Sequence, residues 1–187
     1  VGIGCQGLAD TFQILKMPYD SLEAKELNKQ IFETMYYSAL SESVEEAKKY
    51  GYYSSFKGSP SSKGILQFDM WNIIPSNRHD WGSLKQDIIT YGLRNSLLIA
   101  PMPTASTAQI LSNSECFEPR TTNLYTRRVL AGDYVVVNKY LQNHLDSLGL
   151  WDENMAKELV KHRGSLQQIK KIPQQVKDIY KTVWEIK

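Results

Sequence analysis

The residues best suited to chemistry lie in one stretch, 99–111, which reads IAPMPTASTAQIL. An apolar run is followed by Pro101 and Pro103, and then by four small residues, three of which carry hydroxyls. If a helix begins after the prolines, its first amides have no partner within the helix and carry partial positive charge. Such a terminus binds phosphate without a cationic side chain, and small residues let the anion reach the backbone. The residues predicted to bind phosphate are Thr104, Ala105, Ser106 and Thr107.

A second interpretation of the same stretch stays open. Ser and Thr are favoured at any helix start simply as caps, with no ligand involved. No Gly-Lys-Ser/Thr follows the stretch, which excludes a Walker loop. Nothing in it could bind magnesium or drive phosphoryl transfer. A phosphate bound here would therefore anchor a ligand and would not be the reacting group.

The two cysteines, Cys5 and Cys116, are far apart in the sequence and form neither a disulfide framework nor a zinc signature. Cys5 lies among glycines at a predicted strand end, where it could be a nucleophile. A buried cysteine on a strand is more often a small hydrophobic residue, and we favour that interpretation. Cys116 follows the predicted helix with no base visibly placed to activate it, so we interpret it as incidental.

The remaining polar and aromatic candidates favour structural interpretations. Glu115 and Glu118 could act as acid and base, but solvated loop carboxylates are the simpler account. Arg127 and Arg128 are adjacent in a predicted strand, so their side chains point to opposite faces and an ion pair is favoured over a phosphate clamp. The histidines lack ligand spacing and are expected in surface or capping roles, and the tryptophans are expected as core or interface anchors. These residues are His79, His144, His162, Trp71, Trp81, Trp151 and Trp184.

Alternating strands and helices are predicted on either side of the 99–111 stretch. A segment with three glycines at 1–7 runs into a helix over Leu8–Lys16, and LLIA at 97–100 predicts a strand buried on both faces of a parallel sheet. A β-hairpin is expected over 124–137, with its turn at 131–133. The predicted fold class is therefore α/β.

The longest helix is predicted to begin at Asp20 or Ser21, both good N-caps, and to run to Lys49, with Gly51 as its stop. The segment 52–64 is rich in Ser, Gly and Pro and is expected to be an exposed insertion loop rather than a linker between domains, because Tyr52, Tyr53 and Phe56 give it aromatic anchors.

Two further helices are predicted over 65–72 and over 83–91, the second ended by Gly92. Another is predicted from Lys139, with Leu141, Leu145 and Leu148 on one face. The last two are predicted to begin at an N-cap at Asp152 and after Pro173.

Composition excludes several classes of protein. The 187 residues carry a formal net charge of +2, without the clustered basic face of a nucleic-acid-binding domain. No apolar run is long enough for a membrane span, and Val1 begins directly on core-like sequence. The missing initiator methionine and an end in mid-pattern at Lys187 lead us to expect that both ends were cut from a longer protein.

Several long segments together resemble the catalytic barrel of the large subunit of class I ribonucleoside-diphosphate reductases, of the aerobic eukaryotic type. They extend over essentially the whole chain without gaps, so the resemblance is specific. The segments are RNSLLIAPMPTASTAQILSNSECFEP, NLYTRRVLAGD, GIGCQGLADTF, NKQIFETMYYSAL, GSPSSKGILQFDMWN and IYKTVWEIK.

The resemblance implies that residues 1–187 are part of a catalytic domain, a helix-rich segment of a ten-stranded α/β barrel, and not a complete independent domain. It implies an enzyme that reduces the ribose 2′-hydroxyl of nucleoside diphosphates by a thiyl-radical mechanism, supplying DNA precursors. In that family a PTAST turn holds the substrate diphosphate through main-chain amides. Carried over to this sequence, the substrate-binding residues are Pro103, beside the sugar or base, with Thr104, Ala105, Ser106 and Thr107.

The resemblance also implies what lies outside this segment. The family's radical cysteine lies in an Asn-x-Cys-x-Glu pattern, which this sequence lacks, so no catalytic residue, metal or cofactor is expected here. The implied partners are a small subunit that carries a diiron-tyrosyl radical, thioredoxin or glutaredoxin as reductant, and further large subunits in a homodimer or higher oligomer. ATP or deoxynucleoside triphosphates are implied as effectors, and the enzyme is expected in the cytoplasm. The alternative for the isolated chain is a non-catalytic structural or phosphate-binding α/β unit.

Overall fold

The structure is a computed structural model that describes residues 1–186. The chain divides into two compact units. The first comprises Val1–Gly4 and Leu27–Met102, and the second comprises Cys5–Glu26 and the chain from Pro103 onward.

The described residues form a helix-rich α/β structure with one antiparallel hairpin. The α-helices are α1 Leu8–Ile14, α2 Leu22–Tyr50, α3 Gln67–Met70, α4 Trp81–Tyr91, α5 Ala105–Leu111, α6 Lys139–Ser147, α7 Glu153–Lys161 and α8 Gln174–Ile179. Short 3-10 helices occupy Ser61–Lys63 and Val183–Glu185, and the strands are β1 Leu124–Val129 and β2 Gly132–Val137.

Local residue chemistry sets both ends of α2, as the sequence predicts. At its start the Ser21 hydroxyl oxygen accepts a hydrogen bond from the Ala24 backbone N–H at 3.1 Å, which satisfies one of the free amides of the first turn. At its end Gly51 takes φ of 78°, a left-handed conformation that glycine adopts at little cost. Ser21 and not Asp20 is therefore the capping residue.

The core of the first unit is built where α2 packs against α4. Buried side chains recur along both helices at helical spacing. The loop at 52–64 adds the buried Phe56 to this core, so only part of that loop is exposed. Of the three predicted anchors in that loop, Phe56 is buried and Tyr53 packs against the core, whereas Tyr52 is 41% exposed. Burial of such side chains contributes about 1.5 to 3 kcal/mol each. The buried members include Leu40, Val44, Phe56, Trp81, Leu84, Ile88 and Leu93.

The prediction of a buried strand at 97–100 is wrong in extent. Within the described residues it forms a single parallel bridge, Ile3 to Ile99, and Leu97 is 76% exposed. The Ile3 N–H donates to the Leu98 carbonyl at 2.7 Å, and the Ala100 N–H donates to the Ile3 carbonyl at 2.9 Å. A strand is buried on both faces only when neighbouring strands flank it and helices cover it, and here a single neighbour pairs with it.

The core of the second unit gathers the three helices α6, α7 and α8. Asp152 caps α7 as predicted, its carboxylate accepting from the Met155 N–H at 2.6 Å, and Pro173 precedes α8. Leu141 and Leu145 are fully buried, but Leu148 is 46% exposed, contrary to the prediction of one common face. Leu148 is the C-cap of α6, where the helix has already ended, so helical spacing no longer fixes its direction.

The hairpin pairs Leu124 with Val137 at its open end and Val129 with Gly132 at its turn. The turn itself is Leu130–Ala131, so the predicted turn at 131–133 is displaced by one or two residues. Across the strands Arg128 faces Asp133, and their Nε and Oδ2 atoms lie 3.4 Å apart. Both side chains are largely exposed, so this pair adds little stability.

Candidate functional site

The 103–107 stretch begins a helix where the sequence predicts one. Thr104 is the N-cap, and the Ala108 N–H donates to its carbonyl at 2.7 Å as the first bond of α5. The backbone amides of 104–107 donate to no acceptor in the described part of the chain. Pro103, Ala105, Ser106 and Thr107 are exposed, and Thr104 is half-buried. The first turn of α5 therefore presents unpaired donors at the surface of the second unit.

The threonine hydroxyls at this helix start bind protein atoms and not the first-turn amides. The Thr104 side chain makes no cap hydrogen bond, and its Oγ1 accepts from the Cys116 backbone N–H at 3.2 Å. Thr107 Oγ1 lies 3.1 Å from both the Gln6 Oε1 and the Thr104 carbonyl. Simple capping by Thr104 thus does not explain the residue type, and these two hydroxyls act as braces for the turn.

Ser106 is the exception among the three hydroxyl residues of the turn. It is exposed, and its hydroxyl has no partner among the atoms of residues 1–186. It is the second residue of α5, so its amide is also one of the unpaired donors. Both polar groups of Ser106 are therefore open to a ligand.

The loop that follows α5 is fixed to α1 by a buried carboxylate. Asp10 is 3% exposed, and its Oδ2 accepts from the Ser114 N–H at 2.6 Å. Its Oδ1 pairs with the Arg120 guanidinium, whose side chain is 18% exposed. Ser114 in turn accepts at its carbonyl from the Gly7 N–H at 2.9 Å. The sequence does not identify Asp10 as a site residue, since a lone acidic residue in a predicted helix carries no signal of such a contact.

A cavity of about 850 Å³ lies in this unit between the C-terminal end of α5 and the hairpin. Three buried polar atoms along its wall have no hydrogen-bond partner: Asn113 Oδ1, Ser114 Oγ and Arg120 Nε. Glu115 and Glu118 also line it and are exposed, which agrees with their interpretation as solvated loop carboxylates. The cavity lies away from the first turn of α5.

The cysteines do not resemble activated nucleophiles. Burial, and then the charge of Cys116, raise the pKa of the Cys5 thiol, which disfavours the reactive thiolate. Cys116 is 4% exposed. Among the described residues no group of three or more His, Cys, Asp and Glu side chains could hold a metal ion. In the same part of the chain no helix is long and apolar enough to cross a membrane.

The histidines are half-buried and pack against aromatic or hydrogen-bonding neighbours, and His162 is the C-cap of α7, one of the capping roles expected of them. His79 stacks on Tyr37 with ring centroids 4.5 Å apart. His144 Nδ1 lies 3.3 Å from the Tyr180 hydroxyl, and His162 lies 3.5 Å from Glu158. Their roles are structural contacts.

Two of the four tryptophans lie in or against a core, and the other two are exposed, which leaves the interface role expected of them as a prediction. Trp81 is 8% exposed and belongs to the core of the first unit. Trp71 and Trp184 are 64% and 82% exposed, so neither is a core residue. Trp151 is half-buried against the core of the second unit.

Comparisons with known proteins place the chain among close relatives. The family described as "Ribonucleotide reductase, barrel domain" matches residues 1–187. The chain is 61% identical to the ribonucleoside-diphosphate reductase large subunit of Plasmodium falciparum (isolate Dd2), over 100% of this chain and 23% of that protein. It is 58% identical to the large subunit from Arabidopsis thaliana, over 100% of this chain and 23% of that protein.

One solved structure is similar to the chain over nearly its whole length. The class Id ribonucleotide reductase alpha subunit of Actinobacillus ureae superposes with a TM-score of 0.68 and 25% identity, over 97% of this chain and 27% of that one. The chain spans less than a quarter of the length of the curated relatives it matches.

Proposed function

The chain belongs to the ribonucleotide reductase barrel-domain family, and we propose that it is a segment of the large subunit of a ribonucleoside-diphosphate reductase. The parent enzyme reduces ribonucleoside diphosphates to 2′-deoxyribonucleoside diphosphates by a thiyl-radical mechanism. High identity over the whole chain to proteins named as large subunits supports this proposal. The rest of the barrel and the radical cysteine belong to other parts of the parent protein.

Within that enzyme this segment supplies the turn that binds the substrate diphosphate. The observation that carries this proposal is the set of unpaired, exposed amides at the start of α5. A diphosphate would accept hydrogen bonds from these donors, and the partial positive charge of the helix terminus would favour its binding. Pro103 lies beside the sugar or base, and the diphosphate contacts come from Thr104, Ala105, Ser106 and Thr107.

The hydrogen bonds of the turn indicate which of its groups can contact the diphosphate. The Thr107 hydroxyl donates to Gln6, so Thr107 contributes its backbone amide. The Thr104 hydroxyl accepts from the Cys116 N–H and keeps its own proton, so Thr104 can donate from its amide and its hydroxyl. Ser106 can contribute its amide and its hydroxyl together. The segment binds, orients and holds the substrate, and its own residues move no proton and carry no radical.

The parent enzyme also has partners and cofactors that this segment does not bind. These are a small subunit with a diiron-tyrosyl radical, a second large subunit, thioredoxin or glutaredoxin as reductant, and ATP or deoxynucleoside triphosphates as effectors. The enzyme is cytoplasmic. The isolated chain is a non-catalytic unit, since it carries two cysteines and no Asn-x-Cys-x-Glu pattern. Nucleoside diphosphate reduction by the purified 187-residue chain mixed with a small subunit would contradict this.

Two substitutions at Ser106 in the full-length enzyme test the substrate-binding turn. Ser106→Pro removes an amide that makes no bond within the helix, and proline is tolerated sterically in a first turn. We expect it to weaken nucleoside diphosphate binding about tenfold or more, the loss of one hydrogen bond to a charged group. Ser106→Ala keeps the amide and is the matched control, with a milder expected effect. Unchanged binding in Ser106→Pro would refute the proposed turn, and equal losses would assign the contact to the hydroxyl.

A further inference from the structure

The hairpin of the second unit uses only half of the backbone groups of β1. The Asn138 N–H donates to the Asn123 carbonyl at 2.8 Å, so these two residues form a hydrogen-bonded pair just beyond the open end of the hairpin. Hydrogen-bonded and non-hydrogen-bonded pairs alternate along an antiparallel ladder. The register therefore makes Tyr125, Arg127 and Val129 the residues of β1 that bond to β2.

The other three residues of β1 direct their backbone groups to the opposite edge. At Leu124 these groups are occupied, because its N–H donates to Thr122 Oγ1 at 3.2 Å and its carbonyl lies 2.9 Å from the same hydroxyl. Thr126 and Arg128 are exposed, and within residues 1–186 no group donates to their outward carbonyls or accepts from their outward N–H groups. One edge of β1 thus presents two N–H and two C=O groups without partners.

The cavity of about 850 Å³ runs along this edge. Residues 125–129 all line it, whereas β2 contributes only Val136 and Val137. Successive residues of a strand point to opposite faces, so a continuous run of them borders one space only along the edge of the strand. The wall also includes the loop after α5, where Asn113 Oδ1 and Ser114 Oγ are buried without a partner in the described part of the chain. This space has the shape and the polar groups to receive an extended polypeptide.

We propose that an extended segment of the parent large subunit, from the part of that protein outside this chain, lies in the cavity and pairs with β1 as a third strand. Free strand edges pair readily with another extended chain, and native proteins cover or block them. The proposal rests on the assignment of the chain to a longer large subunit, since it spans only 23% of its relative from Plasmodium falciparum.

The number of free groups favours a segment of the same protein over a separate molecule. Thr126 and Arg128 together offer one donor and one acceptor each, which is a short ladder for a free peptide. A free peptide loses its translational and rotational freedom on binding, and a few hydrogen bonds do not offset that loss. A segment of the same protein is already tethered, so its effective concentration at the edge is high.

The side chains beside the edge define the pattern of the segment. Tyr125, Arg127 and Val129 share one face of β1, and the first and last of them are 38% and 48% exposed. The other face presents Thr126 and Arg128. The pairing segment should therefore alternate apolar residues, against Tyr125 and Val129, with polar residues on the face of Thr126 and Arg128.

Hydrogen–deuterium exchange of the full-length large subunit, resolved to single amides and corrected for intrinsic rates, tests the pairing. We expect Thr126 and Arg128 to exchange about tenfold or more slowly than Asp133 and Val135, as for the gain of a hydrogen bond. The latter two are the matched control, because they are the outward residues of β2 and do not line the cavity. Equal rates at the two edges would overturn the proposal. Protection that appears only with the small subunit, or only at high protein concentration, would also overturn it and assign the edge to another molecule.

A pair of proline variants of the full-length subunit tests the same edge from the other side. Thr126→Pro removes one outward N–H and leaves the bonds to β2 intact, since proline is accommodated at a strand edge. Val135→Pro is its control, because Val135 lies directly opposite Thr126 and its N–H points to the other edge. We expect exchange at Arg128 to become about tenfold faster in Thr126→Pro and to stay unchanged in Val135→Pro. Equal acceleration in both variants would mean that the hairpin is merely loosened, and would overturn the proposal. Nucleoside diphosphate binding by the Ser106 variants is measured separately, so failure of the substrate-binding turn is distinguishable from failure of this pairing.

Discussion

The Asp10 carboxylate accepts a hydrogen bond from the backbone N–H of Ser114 at 2.6 Å, across 104 positions of the sequence. Its other oxygen pairs with the Arg120 guanidinium. This carboxylate joins α1 to the loop that follows α5, and the same loop carries Cys116, whose amide braces Thr104. The geometry of the proposed diphosphate-binding turn thus depends on a contact remote from it in the sequence.

Asp10→Ala should strongly destabilise the second unit. The change removes the partner of a mostly buried guanidinium and leaves the Ser114 N–H unpaired, so we expect the free energy of unfolding to fall by about 3 to 5 kcal/mol. Urea denaturation followed by tryptophan fluorescence measures it. Asp133→Ala, which removes the exposed partner of Arg128, is the control and should cost no more than about 1 kcal/mol. Similar losses in the two variants would contradict the role assigned to Asp10.

Gly164→Ala should be more harmful than Gly149→Ala, although both glycines have positive φ, 82° and 66°. A Cβ at Gly164 would lie 2.3 Å from Thr122 Oγ1 and 2.9 Å from the backbone nitrogen of Asn123, so the backbone must shift. A Cβ at Gly149 would meet nothing within 4 Å, which leaves only the conformational cost of about 1 to 2 kcal/mol.

For Gly164→Ala we expect a loss of about 3 kcal/mol or more, the conformational cost plus that of overpacking. The melting temperatures of the two variants, compared with that of the unmodified chain, give the difference. Equal melting temperatures for the two variants would show that the loop at Thr122 yields without cost.

Local elements could be predicted from the sequence because their signals are local. Ser21 and Asp152 cap their helices through bonds three residues away, and Gly51 and Gly92 end helices as expected. The strand at 97–100 could not be predicted correctly, because its pairing depends on partners that are distant in the sequence.

The candidate site divides in the same way. The start of α5 was predicted from prolines followed by small residues, which act within one turn. The contacts that fix it are not visible in the sequence, because Gln6 reaches Thr107 across 101 positions and Asp10 reaches Arg120 across 110. No spacing rule links such residues, so the braces of the turn become apparent only in three dimensions.

Tyr180 is expected to make the stability of the second unit depend on pH. Burial raises the pKa of its hydroxyl from 10.0 to about 12, and the side chain lies in the core of the second unit, 2% exposed. The hydroxyl donates to the Tyr140 carbonyl at 3.0 Å and lies 3.3 Å from His144 Nδ1. Because the folded pKa exceeds the unfolded one, the contribution of Tyr180 to stability is fully present below pH 10.0 and is lost as the pH rises to about 12.

Tyr180→Phe keeps the ring and removes the ionisable group. At pH 8 the variant should be less stable by about 1 kcal/mol, the net value of the hydroxyl hydrogen bond. As the pH rises from 10.0 to about 12, the difference should shrink and then reverse, because only the wild type must keep a buried phenol from ionising. Urea midpoints of both proteins at a series of pH values measure it, and the other tyrosines cancel in the comparison. A difference that stays constant across this range would mean that the Tyr180 hydroxyl ionises equally well in the folded and unfolded chain.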